Sequence, residues 1–176
     1  IIRLASTHGI STGHILKILL SDQPQLLAGI QAGALTALVR PNTTTTRSLE
    51  AISSQVSASY EQLRNGTFCL LSPALKRSVN TYTDIIRWCP ICFHEQIDLY
   101  GSSYLKLVWF LKDVETCIDH RVKLRSTCPH CNKIPRPMIR WKDIHICRYC
   151  LGSLDTLTSS DSRIVSSDLT SPDLVK

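Results

Sequence analysis

Cys89-Pro-Ile-Cys92, Cys117-Ile-Asp-His120, Cys128-Pro-His-Cys131 and Cys147-Arg-Tyr-Cys150 are four pairs of metal-type donors set within 62 residues. Two residues separate the members of each pair, the spacing that lets a tight turn aim two side chains at one ion. Zn²⁺ takes four nitrogen or sulfur donors in a tetrahedron, so four pairs predict two complete structural zinc sites. Seven of the eight cysteines plus His120 supply the eight donors, and Cys69 is left over. The predicted ligands are therefore Cys89, Cys92, Cys117, His120, Cys128, Cys131, Cys147 and Cys150.

Two other readings of the cysteines compete. Eight is an even number, which would suit a disulfide scaffold, but that scheme must find a partner for Cys69 and leaves the Cys-x2-His pair unexplained. Cys-Pro-x-Cys also occurs as a redox pair at a helix N-terminus after a strand, and no βαβ pattern surrounds it here. The pairing of donors has two solutions. In the sequential one, the first two pairs share one ion and the last two share the other. In the crossed one, the first and third pairs share an ion. The 15-residue gap between Cys131 and Cys147 fits a single hairpin and favours the sequential scheme. His94 and His130 lie close to the pairs and are read as non-ligands.

Outside this region the chain reads as helical. It has 176 residues, enough for one medium domain or two small ones, and a 43% apolar fraction. No apolar run approaches the ~18 residues of a membrane span. The chain opens on Ile1 rather than Met, as a fragment or a processed chain would. Apolar residues at 1, 2, 4 and 5 predict helix ending near Gly9, which suits a left-handed position. Ser11 or Thr12 then caps a second helix carrying Ile15, Leu16, Ile18, Leu19 and Leu20. This outline is helix-turn-helix-like, with a plain helical hairpin as the alternative.

Gln25 to Arg40 reads as a buried helix stopped by Pro41, followed by a polar loop of four threonines, Thr43–Thr46. Leu49, Ile52, Val56, Tyr60 and Leu63 recur at helical spacing. They fit one long helix, or two with a turn near Val56-Ser57 and a cap at Ser57 or Ser59. Tyr60 and Cys69 are expected in the core. Tyr104 to Trp109 suggest a short helix over the first site, and Val122 and Leu124 alternate with charge as a strand does. Two segments around Lys142-Asp143 would form the hairpin of a zinc ribbon. From Gly152 the chain is Ser, Thr and Asp with scattered Leu and Val, which reads as a flexible tail or a truncated extension. The expected division is 1–75 helical, 76–151 tandem zinc fingers and 152–176 tail. The expected fold class is mainly α with small β, a helix-turn-helix-like part followed by two zinc-ribbon modules.

The formal charge of +6 is uneven: +2 over residues 1–75, +6 over 76–151 and −2 beyond. Seven thiolates and two Zn²⁺ would bring the middle region to about +3, a modest basic surface suited to assisted nucleic-acid contact. The expected phosphate contacts are Arg121, Lys123, Arg125, Lys133, Arg136, Arg140, Lys142 and Arg148, with a solvated charged face as the alternative.

Arg87-Trp-Cys-Pro-x-Cys92, then Tyr100-Gly101, Tyr104, Trp109, Cys117-x-x-His120, Leu124 and Cys128-Pro-x-Cys131, resembles the TniQ/TnsD family. Arg3-Leu4-Ala5 and Gly9-Ile10-Ser11 are similar to that family's first helix and turn. The resemblance covers roughly residues 1–150. It implies a non-catalytic adaptor in targeted bacterial transposition, linking a target-site recogniser to an AAA+ ATPase regulator. The recogniser is a DNA site or an RNA-guided CRISPR effector complex. Longer members carry a further C-terminal region for DNA recognition. A cytoplasmic, nucleoid-associated place follows, with no membrane partner and with homodimerisation left open.

Two rival classes stand beside this one. A free-standing zinc-ribbon and helix-turn-helix regulator would read a defined DNA sequence alone. An enzyme, either a crossed-zinc ubiquitin ligase or a thiol oxidoreductase, would need an open metal position or a free thiol pair, and every paired cysteine is used as a ligand. No Ser/His/Asp set or phosphate loop is present.

Overall fold

The structure is a computed structural model that describes residues 1–32, 38–71, 81–135 and 142–157. Helix dominates these residues, and strand pairing is confined to isolated antiparallel bridges. The first helix, α1 (Ile2–Thr7), ends at a turn where Gly9 takes φ +63°, as its place in the sequence predicts. Ser11 accepts a hydrogen bond from the His14 N–H and caps α2 (Thr12–Leu19). The apolar stripe of α2 turns Ile15, Leu16 and Leu19 inward, while Ile18 stays exposed.

Helix α3 (Pro24–Ala32) begins on a proline, whose fixed φ suits a first helical position. The expected helix to Arg40 is described only to Ala32; residues 33–37 lie outside the described residues. The expected threonine loop is not found. Thr43–Thr46 form the first turn of α4 (Thr43–Ser53), because the Asn42 side chain accepts from the Thr45 N–H at 2.8 Å and starts the helix there. Of the two arrangements open for Leu49–Leu63, two helices are found. Helix α5 (Tyr60–Asn65) starts at Ser59 with a full capping box, in which Gln62 reaches back to the Ser59 N–H at 2.8 Å. Consecutive helices from α1 to α5 pack in sequence around Ala5, Ile15, Leu16, Leu19, Leu20, Ile30 and Ile52. Tyr60 and Cys69 are only half-buried and line an open cleft beside Pro41, Asn42, Thr46 and Arg64.

A second core is built around the donor pairs: Ile86, Trp88, Ile91, Phe93, Trp109, Val122, Leu124, Ile144, Leu154 and five of the cysteines. Trp88 is fully buried and stacks on Phe93 at 6.2 Å between ring centroids. Phe93 in turn meets Trp109 at 6.0 Å and a tilt of 59°. The Arg87 guanidinium donates to the carbonyls of Trp109 and Leu111, tying down the 3₁₀ helix Leu107–Phe110. Burial lowers the pKa of that guanidinium. The two cores meet through Tyr82 and Asp84. Phe68 packs on the Tyr82 ring at 5.0 Å, and Arg40 pairs with Asp84 at 3.1 Å while lying over Tyr82.

Two further differences from the sequence reading lie in this half. Pro90 does more than shape a turn: it is the first residue of α6 (Pro90–Tyr100), which Cys89 caps and Gly101 closes. The stretch expected to be a tail from Gly152 is packed through Leu157. Leu154 is fully buried, its carbonyl accepts the Trp88 indole N–H at 3.0 Å, and Asp155 lies 3.3 Å from His94. Residues 158–176 lie outside the described residues, as do 136–141 of the expected ribbon hairpin.

Candidate metal centres

Three of the four pairs share one backbone design. In each, the N–H of the residue four after the first cysteine bonds back to that cysteine's carbonyl: Arg121 to Cys117 at 2.9 Å, Asn132 to Cys128 at 2.9 Å, Leu151 to Cys147 at 2.8 Å. The cysteine N–H then bonds to the carbonyl of the next residue, Val122, Lys133 or Gly152. Closing so tight a loop forces the fourth residue into the left-handed region, and Arg121, Asn132 and Leu151 have φ of 54°, 55° and 60°. The first pair is built otherwise. Cys89 precedes α6 and Cys92 sits in its first turn, so the helix start itself sets the two sulfurs side by side. The Cys92 N–H points at the Cys89 sulfur at 3.5 Å.

These four turns bring the donors into two groups. Cys89, Cys92, Cys117 and His120 form one, and Cys128, Cys131, Cys147 and Cys150 the other, with the donor atoms of each group within 4.8 Å of one another. This is the sequential scheme. A tetrahedral ion bound at about 2.3 Å by sulfur and 2.0–2.1 Å by nitrogen sets donors about 3.8 Å apart (S to S) and about 3.6 Å apart (S to N). The first group has Cys92 and Cys117 sulfurs at 3.6 Å, and His120 Nδ1 at 3.3 to 3.7 Å from all three sulfurs. The second has Cys128–Cys150 at 3.6 Å and Cys131–Cys147 at 3.8 Å. All of these cysteines are free thiols, and such separations are far beyond the ~2.05 Å of a disulfide. Both groups are positioned to hold a metal ion, and their soft donors and spacing are consistent with zinc.

Packing thiols side by side splits their acidities. Hydrogen bonding with Cys117 pushes Cys89 up to about 11 and raises Cys92, while the same contacts depress Cys117. In the second group, burial chiefly pushes Cys128 up to about 12. Burial acts to raise Cys147 as well, but bonds from the Tyr149 and Cys150 N–H groups help bring it to about 7. Such a cluster keeps protons that a divalent ion would displace.

Around the donors stand residues that the sequence reading did not single out. Glu95, on α6, lies 3.0 Å from His120 Nε2 and so leaves Nδ1 facing the sulfurs. Asp119 sits 3.8 Å from the Cys117 sulfur and pairs with Lys106, whose cation is held above its usual pKa against the opposing effect of burial. The sequence carried no local sign of Glu95, because α6, which places it beside His120, was not expected. His94 and His130 stand outside both groups. His94 lies between Asp155 and Asp98, and His130 Nε2 is 2.9 Å from the Ser153 carbonyl and 3.2 Å from Thr156 Oγ1.

The basic residues divide as well. Arg121, Lys123, Lys133 and Lys142 are exposed, and Arg148 is half-buried. The Arg125 guanidinium donates to the Thr156 carbonyl at 2.7 Å and its backbone pairs with Trp88. Lys133 and Arg148 both gather on the Tyr149 ring. Arg136 and Arg140 lie outside the described residues. Among the described residues, no helix is long and apolar enough to cross a membrane.

A family model described as TniQ matches residues 1–124, about seven tenths of the chain. The match takes in α1 to α6 and the first donor group, and ends before the second. No match among curated proteins was found.

Proposed function

The chain belongs to the TniQ family of transposition proteins, and on that premise we propose that it is a non-catalytic adaptor in targeted DNA transposition. In this reading it joins a target-site recogniser, either a DNA site or an RNA-guided CRISPR effector complex, to an AAA+ ATPase regulator. The observation that carries it is the family match through the helices and the first donor group. The donor groups support it. Each supplies four protein donors to one point, which fills a tetrahedral ion and leaves no position for water or substrate. The ions are two structural Zn²⁺ held by Cys89, Cys92, Cys117, His120 and by Cys128, Cys131, Cys147, Cys150. Their chemistry, when bound, is to cross-link the fold and neutralise thiolates.

The rest of the reading follows from charge. A region of about +3 after metal loading releases too few counterions for tight solitary DNA binding. Most binding energy then comes from protein partners, and several weak contacts together raise avidity by ~10²–10⁴. Arg121, Lys123, Lys133, Lys142 and Arg148 are the phosphate contacts we propose. Arg136 and Arg140 remain expected ones, and Arg125 contributes less because its guanidinium already serves Thr156. The pairs α1–α2 and α4–α5 act as helix-turn-helix-like docking units. The working compartment is the bacterial cytoplasm at the nucleoid. The division we propose is 1–75 and 76–157, with the remainder as an extension.

The test is binding of the purified chain to random and candidate-site DNA at physiological salt, with and without the ATPase regulator. Co-purification of the native protein followed by mass spectrometry identifies the recogniser. Binding that strengthens markedly with the regulator supports the adaptor. Nanomolar sequence-specific binding by the chain alone overturns it in favour of a free-standing regulator.

A further inference from the structure

The knuckle Cys147-Arg-Tyr-Cys150 aims its two sulfurs at the donor group, with Cys147 buried and Cys150 at the surface beside exposed Tyr149. Tyr149 keeps 44% of its surface open to solvent. Lys133 Nζ and Arg148 Cζ each stand 5.3 Å from the centre of its ring, inside the range of cation–π attraction. Lys133 comes from the other knuckle of the same donor group, so the two turns build the cluster jointly. Their backbones are already fixed. The Lys133 carbonyl accepts from the Cys128 N–H at 3.0 Å, and the Tyr149 N–H bonds to the Cys147 sulfur. A partner landing here meets two turns of fixed backbone, so only side chains must rearrange as a base takes the ring and the cations turn to its flanks.

We propose that Tyr149, Lys133 and Arg148 form a binding site for single-stranded nucleic acid, with one base stacked on the tyrosine and flanking phosphates on the two cations. Two like charges drawn to one exposed aromatic ring match a phosphodiester strand, which offers negative charge on both sides of each flat base. A paired base has both faces covered by its neighbours, so stacking selects an unpaired one. The inference rests on the proposed nucleic-acid contacts of the ribbon.

The experiment uses the full chain loaded with zinc and a labelled mixed-sequence oligodeoxynucleotide, titrated by fluorescence anisotropy at several salt concentrations. The wild type is compared with Tyr149→Phe, Tyr149→Leu and the pair Lys133→Gln/Arg148→Gln, with the metal content of each measured first. Tyr149→Phe should bind as the wild type does. Tyr149→Leu should bind about 5- to 150-fold more weakly with an unchanged salt slope, the range expected for one lost base stack. The double Gln variant should lower the slope of log K against log salt by about 1.4, or ~0.7 for each lost phosphate contact.

Full binding by Tyr149→Leu overturns the proposal while leaving the ribbon's nucleic-acid contacts intact; the cations then serve only to offset the charge of the metal–thiolate group. Equal binding of duplex and single strand, both insensitive to Tyr149, overturns it in the same way. No binding by the wild type at low salt removes the parent reading as well.

Discussion

Replacing Gly152 by alanine should destabilise the protein through one side chain, His130. A Cβ built on Gly152 lies 2.4 Å from His130 Cδ2 and 2.7 Å from Cγ. Because Cγ is the root of the ring, a small tilt does not clear the clash, and the whole imidazole must swing away. It then loses its contacts to the Ser153 carbonyl at 2.9 Å and Thr156 Oγ1 at 3.2 Å. Both contacts share the one Nε2–H, so they count as a single bifurcated bond worth about 0.5–1.5 kcal/mol, and forcing the ring off its rotamer adds about 0.5–1.5 kcal/mol. Alanine offsets about 0.4–1 kcal/mol by restricting the unfolded chain, since Gly152 does not use the left-handed region. The net expectation is a loss of about 0.5–1.5 kcal/mol, read by urea denaturation of the zinc-loaded chain. The decisive comparison is the same substitution in a His130→Ala background. With the ring gone, Gly152→Ala should become neutral or stabilising by up to about 1 kcal/mol, a reversal of sign. An equal cost in both backgrounds would refute the reasoning.

Glu95→Gln should weaken metal at the first site about 10- to 100-fold, the usual effect of removing a carboxylate behind a ligand histidine, and leave the second site untouched; chelator competition with site-resolved cadmium NMR separates the two. Trp88→Phe keeps most of the stacking on Phe93 but leaves the Leu154 carbonyl without its donor, so thermal denaturation should report a loss of about 1–3 kcal/mol. Cys69→Ser should retain two metals by elemental analysis, whereas Cys128→Ser should lose the second and loosen that half of the core. Metal loading at pH 7 should release protons, since Cys89 at about 11 and Cys128 at about 12 hold theirs in the free clusters. Acidification should therefore expel metal, and calorimetry in buffers of different ionisation enthalpy measures the proton count.

Much of the metal region was legible because coordination acts at short range. Two donors on one turn need a fixed spacing, and that spacing is written directly in the residues. Ser11 and Ser59 were legible for the same reason, since a cap acts within three residues. Helix α6 was not: its buried side chains, Pro90 to Phe93 and Gln96, crowd its beginning, while His94, Glu95, Asp98, Leu99 and Tyr100 face solvent. No stripe of 3.6-residue period runs its length. Thr43–Thr46 looked like a loop because β-branched polar residues disfavour helix, yet one Asn42 side chain decided the matter. Glu95 and the 152–157 segment depend on partners 25 or more residues away, and a single buried leucine does not mark a polar stretch as core.

The indole of Trp88 and the carbonyl of Leu154 are 66 residues apart in the chain. Synthesis at roughly 5–20 residues per second separates them by about 3–13 s, and the first donor group, complete only at His120, waits about 2–7 s of that time for its closing segment. Leu154 also stands just beyond the third knuckle, two residues after the Gly152 carbonyl that accepts the Cys147 N–H. Over that interval Trp88 lacks the partner of its indole N–H, beside thiols that can oxidise or capture another metal. Metal supply during translation, and not only affinity afterwards, should then affect how much of the protein reaches its final form, which pulse-labelling in metal-limited and metal-replete cells would measure.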